Sequence, residues 1–235
     1  MKSEPLYLLD TNVIYDMLTM LTEKPSGIGR SIDKFLSVTN KKVYISDLVW
    51  TEFSISWFQK NISFPDYELW YSRKLASYAQ VYQQLLRRNV ELLPILKLSA
   101  GGYAGVVDLA RDLAIVKYDD SFIREVQKNF DRKLENALRE EPTEKNRQAH
   151  HEYVERLQKN YYNGKLLDGL DSMILASSIL FAQENPKSTV TLVSNDRWMG
   201  TAANHLMLNA ASYSLKNLTK RPFTLKIKTP AELGR

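Results

Sequence analysis

The residues of this chain with the clearest capacity for chemistry are acids that adjoin apolar runs. Asp10, with Thr11 and Asn12 behind it, closes the run in "LYLLDTN", and Asn195 and Asp196 close the run in "TLVSND". Two further acids have apolar neighbours at helical spacing. Glu52 in "LVWTEFSISWF" has Leu48, Val49, Ile55 and Ser56 three and four positions away, and Asp171 in "LLDGLDSMILA" has Leu167, Ile174 and Leu175. A carboxylate on such a face is desolvated at a cost of several kcal/mol unless a cation or a donor compensates it. Neither segment places a Lys or Arg at those positions. Four acids converging without a basic partner form a hard-oxygen site suited to Mg²⁺ or Mn²⁺, one ion or two. Taken singly they have plainer readings: Asp10, Asn12 and Asp196 stand where helix N-caps belong, and Asp171 suits the positive end of a helix. Zinc does not fit, because His150, His151 and His205 lack ligand spacing.

The elements that must position these acids are legible as alternating short runs. Five β-rich stretches stand at 6–9, 42–46, 90–95, 189–194 and 223–228, the central ones the most continuously apolar and the last alternating and ending in lysine, as an edge strand does. Helical patterns at 12–21, 29–39, 48–60, 66–88, 168–184 and 198–210 lie between nearly all of them, which predicts an α/β fold with a parallel sheet and helices on both faces. Ligands in such a sheet collect beyond the carboxyl ends of the strands, so Asp10 and Asp196 face each other if the first and fourth strands are neighbours. The stretch from 96 to 188 exceeds what one crossover requires. Gly101, Gly102 and Pro142 punctuate it, and "GVVDLARDLAIVKY", "SFIREVQKNFDRKLENALRE" and "TEKNRQAHHEYVERLQKNYY" read as charged amphipathic helices, a helical insertion over 96–165 within a single domain of 1–235.

With 235 residues, 44% hydrophobic and 25% charged, the chain reads as an ordinary globular protein with ample material for a core. Its 32 Lys and Arg outweigh 27 Asp and Glu, a net charge of +5 that favours a polyanionic partner. The absence of cysteine excludes disulfides and thiolate sites and fits a reducing compartment. An acid interrupts the N-terminus before any signal-peptide core, and no apolar stretch is long enough to span a bilayer, so a cytoplasmic protein is expected. Arg87, Arg88, Lys165, Arg197, Lys220 and Arg221 are candidate phosphate contacts, with solvated surface charge the plainer reading of each. Trp70, Tyr71, Tyr78 and Tyr82 are spaced for packing, with base stacking the lesser alternative.

These motifs together resemble the PIN-domain nucleases, in particular VapC-like toxins of bacterial toxin–antitoxin pairs. "LLDTNVIYDM" resembles that family's opening strand and first acid, "ISDLVWTEF" its second-strand segment ending in Glu, "LDSMILASSI" its third-acid helix, "TLVSNDRWM" its fourth-strand motif, and "LKIKTPAEL" its closing strand and Thr-Pro turn. The resemblance implies a three-layer PIN-like fold and a Mg²⁺- or Mn²⁺-dependent endoribonuclease acting on single-stranded RNA. Asp10, Glu52, Asp171 and Asp196 would be its acidic tetrad, supported by Thr11, Asn12 and Ser194, with Asp168 an additional acid one turn before Asp171. It also implies a toxin restrained by an antitoxin or another inhibitory protein, and dimerisation is common in the family. The interval from Glu52 to Asp171 is much longer than in the compact toxins, which bears on the antitoxin partnership more than on the chemistry. Two other readings stand beside this one. A PIN-like fold can serve as a non-catalytic module that binds nucleic acid or protein, although none of the four acids is missing. Asp10 after a first strand also resembles the phosphoryl acceptor of haloacid dehalogenase-like phosphatases, but Asn12 replaces the second acid of their DxD pattern.

Overall fold

The computed structural model describes residues 4–22, 27–37, 41–58, 67–94, 101–114, 169–219 and 221–234, with single positions between 116 and 167. Five strands form one sheet: β1 (Leu6–Leu9), β2 (Lys42–Ser46), β3 (Val90–Leu93), β4 (Val190–Val193) and β5 (Leu225–Lys228). Every pairing is parallel and the order is β3-β2-β1-β4-β5, so β1 does lie beside β4 and β5 does form an edge. Three strands are shorter than their apolar runs suggest, β4 by one residue at each end. β3 stops at Leu93, because Pro94 has no N–H to give the ladder. β5 begins only at Leu225, after Phe223 and Thr224.

The helices are α1 (Thr11–Thr22), α2 (Gly27–Ser37), α3 (Asp47–Phe58), α4 (Tyr67–Arg87), α5 (Gly102–Ala114), α6 (Gly169–Glu184) and α7 (Arg197–Leu208), with the single turns α8 (Lys216–Thr219) and α9 (Pro230–Leu233). The six helices expected between the strands are present with nearly the expected ends. The amphipathic segments at 121–140 and 143–162 lie largely outside the described residues. Among the described residues no helix is long and apolar enough to cross a membrane.

Parallel register puts paired residues on one face of the sheet, and this assigns the layers. Leu8, Tyr44, Leu192 and Ile227 are paired in register across β1, β2, β4 and β5. Tyr44 meets Phe181 of α6 edge to face at 5.8 Å, and Ile227 lies against Gly200 of α7, so α6 and α7 cover that face. Tyr7, one residue along β1, meets Phe35 of α2 at 5.1 Å on the other face. All four residues of β1 and of β4 are buried, as expected of strands covered on both sides. This is the three-layer α/β arrangement that the PIN-like resemblance implies. Helix α5, within the stretch read as an insertion, buries Val106, Leu109, Ala110 and Leu113 and packs on α6.

Candidate metal centre

Every strand runs toward the same end of the sheet, and the acids fall there. Asp10 is the residue after β1 and is 3% exposed. Its carboxylate is held by neutral donors: the Thr11 N–H donates to Oδ1 at 2.7 Å, while Asn12 Nδ2 and Ser194 Oγ both donate to Oδ2 at 2.6 Å. Burial pushes the Asp10 carboxyl up from 3.8 to about 6; the Ser194 and Thr11 hydrogen bonds oppose the rise, and the charges of Glu52 and Asp196 add to it. A carboxylate has about four lone-pair sites. Among the described residues three are taken, and the remaining one is on Oδ1.

Of the other acids, Glu52 and Asp196 bear on Asp10 from two different elements, while Asp171 is placed at the same edge of the sheet. Glu52, half-buried in the second turn of α3, accepts a hydrogen bond from the Thr11 hydroxyl at its Oε2. Its expected apolar surround is only partly realised: Val49 is buried, but Ile55 is 50% exposed. Asp196 has its backbone N–H donated to Ser194 Oγ at 2.9 Å, and its Oδ1 accepts from the Met199 N–H at 3.3 Å. It therefore caps α7 and also presses on Asp10, so the plain reading and the site reading hold together. Asp171 is half-buried in the first turn of α6, with Leu167, Ile174 and Leu175 buried around it as expected. The short link from Glu184 to β4 puts the end of α6 at the amino edge of the sheet, and 16 residues at about 1.5 Å each carry its start back to the carboxyl edge. Two buried polar atoms at this end have no hydrogen-bond partner among the described residues, Asp47 Oδ1 at the head of α3 and Ser172 Oγ beside Asp171.

The three supporting groups meet the acids directly: Thr11 at Glu52, and Asn12 and Ser194 at Asp10, with Asn12 Nδ2 also 3.1 Å from Ser194 Oγ. Asp168 and Lys165 lie outside the described residues, as does Lys220, and of Arg197 only the backbone is described, at the start of α7. Arg87 and Arg88 sit at the end of α4, just before β3, which is the amino edge of the sheet and opposite Asp10. Arg87 is exposed, and Arg88 donates to Asp33 of α2 and to Gln84. Arg221 precedes β5 at that same edge and pairs with Glu184 at 3.0 Å. Tyr78 and Tyr82 pack α4 on α3: Tyr78 stacks on Phe53 at 5.8 Å and both tyrosines lie against Trp50, while the side chains of Trp70 and Tyr71 lie outside the description. His205 stacks on Phe122 at 3.8 Å and shares a hydrogen bond with the Tyr213 hydroxyl, a packing role.

Two groups were not singled out from the sequence. Asp16 accepts a hydrogen bond from Asn195 Nδ2, and burial raises its carboxyl against that bond. Lys228 ends β5 at the acid edge, its carbonyl accepting from the Ser194 N–H at 3.0 Å. The signal for Asp16 was its place one helical turn after Asn12.

Among the described residues no three acidic or histidine side chains stand together as a finished cage for a metal ion. Asp10 nonetheless suits a hard divalent cation. It is buried, one of its lone pairs accepts from no described residue, and two further acids bear on it. An ion such as Mg²⁺ is held by one or two carboxylates and keeps several of its waters, so a complete protein shell is not required.

The sequence pattern that describes the PIN domain family matches residues 107–214. The matched stretch begins inside α5, takes in Asp171, Ser194 and Asp196, and leaves out Asp10 and Glu52. PIN domains are in general nucleases that use divalent metal ions, and the match supports a nuclease-type hydrolytic function for this chain. No curated protein matches the chain.

Proposed function

We propose that the protein is a Mg²⁺- or Mn²⁺-dependent endoribonuclease that hydrolyses phosphodiester bonds of single-stranded RNA at the carboxyl edge of its sheet. The observation that carries this reading is Asp10: a buried carboxylate fixed by three neutral donors, with Glu52 and Asp196 adding negative charge to its surroundings. Such a group is unfavourable alone and favourable beside a cation. Asp10 would supply the central ligand through Oδ1, with Glu52, Asp171 and Asp196 the further acids of the site. A bound divalent ion supplies an activated water and neutralises charge at the scissile phosphate. Thr11 orients Glu52, and Ser194 with Asn12 orients Asp10, so the acids need not reorganise when substrate arrives. The net charge of +5 and a lysine at the end of β5 favour a polyanionic substrate. A toxin restrained by an antitoxin is the biological setting that the resemblance favours.

The test is cleavage of end-labelled single-stranded RNA and DNA by purified protein in Mn²⁺, in Mg²⁺ and in EDTA. Cutting of RNA that requires the metal and stops in EDTA is expected. Cutting unaffected by EDTA, or metal-dependent cutting of DNA alone, sinks the reading.

A further inference from the structure

The hydrogen bonds around Asp10 continue beyond the acids already assigned, through the turn between β4 and α7. Ser194, Asn195 and Asp196 make up this turn, and two of them serve the site: Ser194 holds Asp10, and Asp196 stands beside it. Asn195, between them, is fastened to α1 at two points. Its backbone N–H donates to Asn12 Oδ1 at 2.9 Å, and its side-chain amide donates to Asp16 Oδ2. Asn12 and Asp16 are four residues apart, so both lie on one face of α1.

We infer that Asp16 is a positioning residue: together with Asn12 it clamps Asn195 onto α1 and so sets the distance between Asp10 and Asp196. This rests on the proposed nuclease reading. Asp16 is not a fifth member of the acid cluster, because its described partner is Asn195, and the charges that bear on Asp10 are those of Glu52 and Asp196. The turn is otherwise fixed at its two ends: the Ser194 N–H donates to the Lys228 carbonyl of β5, and Asp196 caps α7 through the Met199 N–H, so Asn195 between them takes its place from α1. With one of its two anchors released, Asn195 can turn about Asn12 and shift Asp196, while Ser194 stays fastened to β5 and to Asp10.

What the clamp requires of residue 16 is a hydrogen-bond acceptor, not a charge. Asp16→Asn retains an acceptor oxygen and Asp16→Ala does not. In Asp16→Ala, kcat is expected to fall about ten- to a hundredfold, the range for groups that orient metal ligands, with KM for RNA within about threefold and the melting temperature nearly unchanged. Asp16→Asn is expected to restore kcat to within about threefold of wild type. In metal-free protein, amide exchange at Asn195 and Asp196 should quicken about tenfold in Asp16→Ala and stay at the wild-type rate in Asp16→Asn. Unchanged exchange in Asp16→Ala overturns the clamp, and equal loss of kcat in both variants overturns positioning in favour of a charge or ligand role. Exchange is read without metal or RNA, so a wild-type protein that cuts nothing removes the nuclease reading while the clamp is still decided.

Discussion

The two edges of the sheet handle charge in opposite ways. At the amino edge, charges meet as ion pairs: Glu4 with Lys42 at 3.2 Å, Arg221 with Glu184 at 3.0 Å, and Arg88 with Asp33, all at least partly open to water. Among the described residues at the carboxyl edge, Asp10, Glu52 and Asp196 accept from hydroxyls, an amide and backbone N–H groups. An exposed ion pair is already neutralised and contributes up to about 1 kcal/mol. A buried carboxylate held by neutral donors keeps its charge and is stabilised further by a cation. The amino edge therefore closes the fold, and the carboxyl edge leaves an electrostatic deficit that a ligand can fill.

The strongest way to break this contrast is to remove the charge at its centre. Asp10→Asn should lower RNA cleavage by more than about a hundredfold, beyond the range for residues that only support a ligand. It should also raise the metal-free melting temperature at pH 7. A carboxyl raised from 3.8 to about 6 binds its proton more tightly in the folded chain than in the unfolded one. Its contribution to stability is complete below about pH 4 and is lost as the pH rises through 6, a loss of about 3 kcal/mol by neutral pH. Wild type and variant should therefore melt alike at pH 4 and diverge by several degrees at pH 7. Scanning calorimetry in EDTA at the two pH values checks this, and equal melting at pH 7 contradicts it.

Ser194→Ala should have a smaller effect and a more informative one. It removes a donor that lowers the Asp10 carboxyl and also the acceptor of the Asp196 N–H. Cleavage at pH 7 should fall about ten- to a hundredfold, with the acidic limb of the pH–rate profile moved to higher pH and much of the rate recovered near pH 8. A uniform drop at all pH values would mean that Ser194 acts on the turn alone. The smallest effect is expected at the opposite edge. Arg88→Ala should cost no more than about 1 kcal/mol in urea unfolding and leave RNA cleavage within about twofold; a large loss of cleavage would mean that the two edges are not separate.

That separation was partly legible without a structure. Strands and helices declared themselves through apolar runs and helical spacing, and a residue just after a strand of a parallel sheet must stand at the carboxyl edge, which placed Asp10 and Asp196. The same rule, applied to residues just before a strand, puts Arg87, Arg88 and Arg221 at the far edge. Their charge alone, without that rule, suggested substrate contacts. The early end of β3 was encoded by Pro94, whose missing N–H outweighs the apolar Ile95 behind it. Asp16 was harder to see, because nothing near it in sequence announces Asn195; the contact exists only once β4 lies against β1. The amphipathic pattern of α5 likewise announced a buried face but not that α6, which carries Asp171, would cover it.

The pairing of β1 with β4 has a consequence in time. Asp10 and Ser194 are hydrogen-bonded partners 184 residues apart. A ribosome adding about 5–20 residues per second takes roughly 10 to 40 s to travel from one to the other. Throughout that interval the growing chain carries its first acid without the turn that orients it. On the proposed chemistry, a half-made molecule is inert toward the message it is being read from, and the capacity to cut RNA arrives only once β4 and the turn after it have been made.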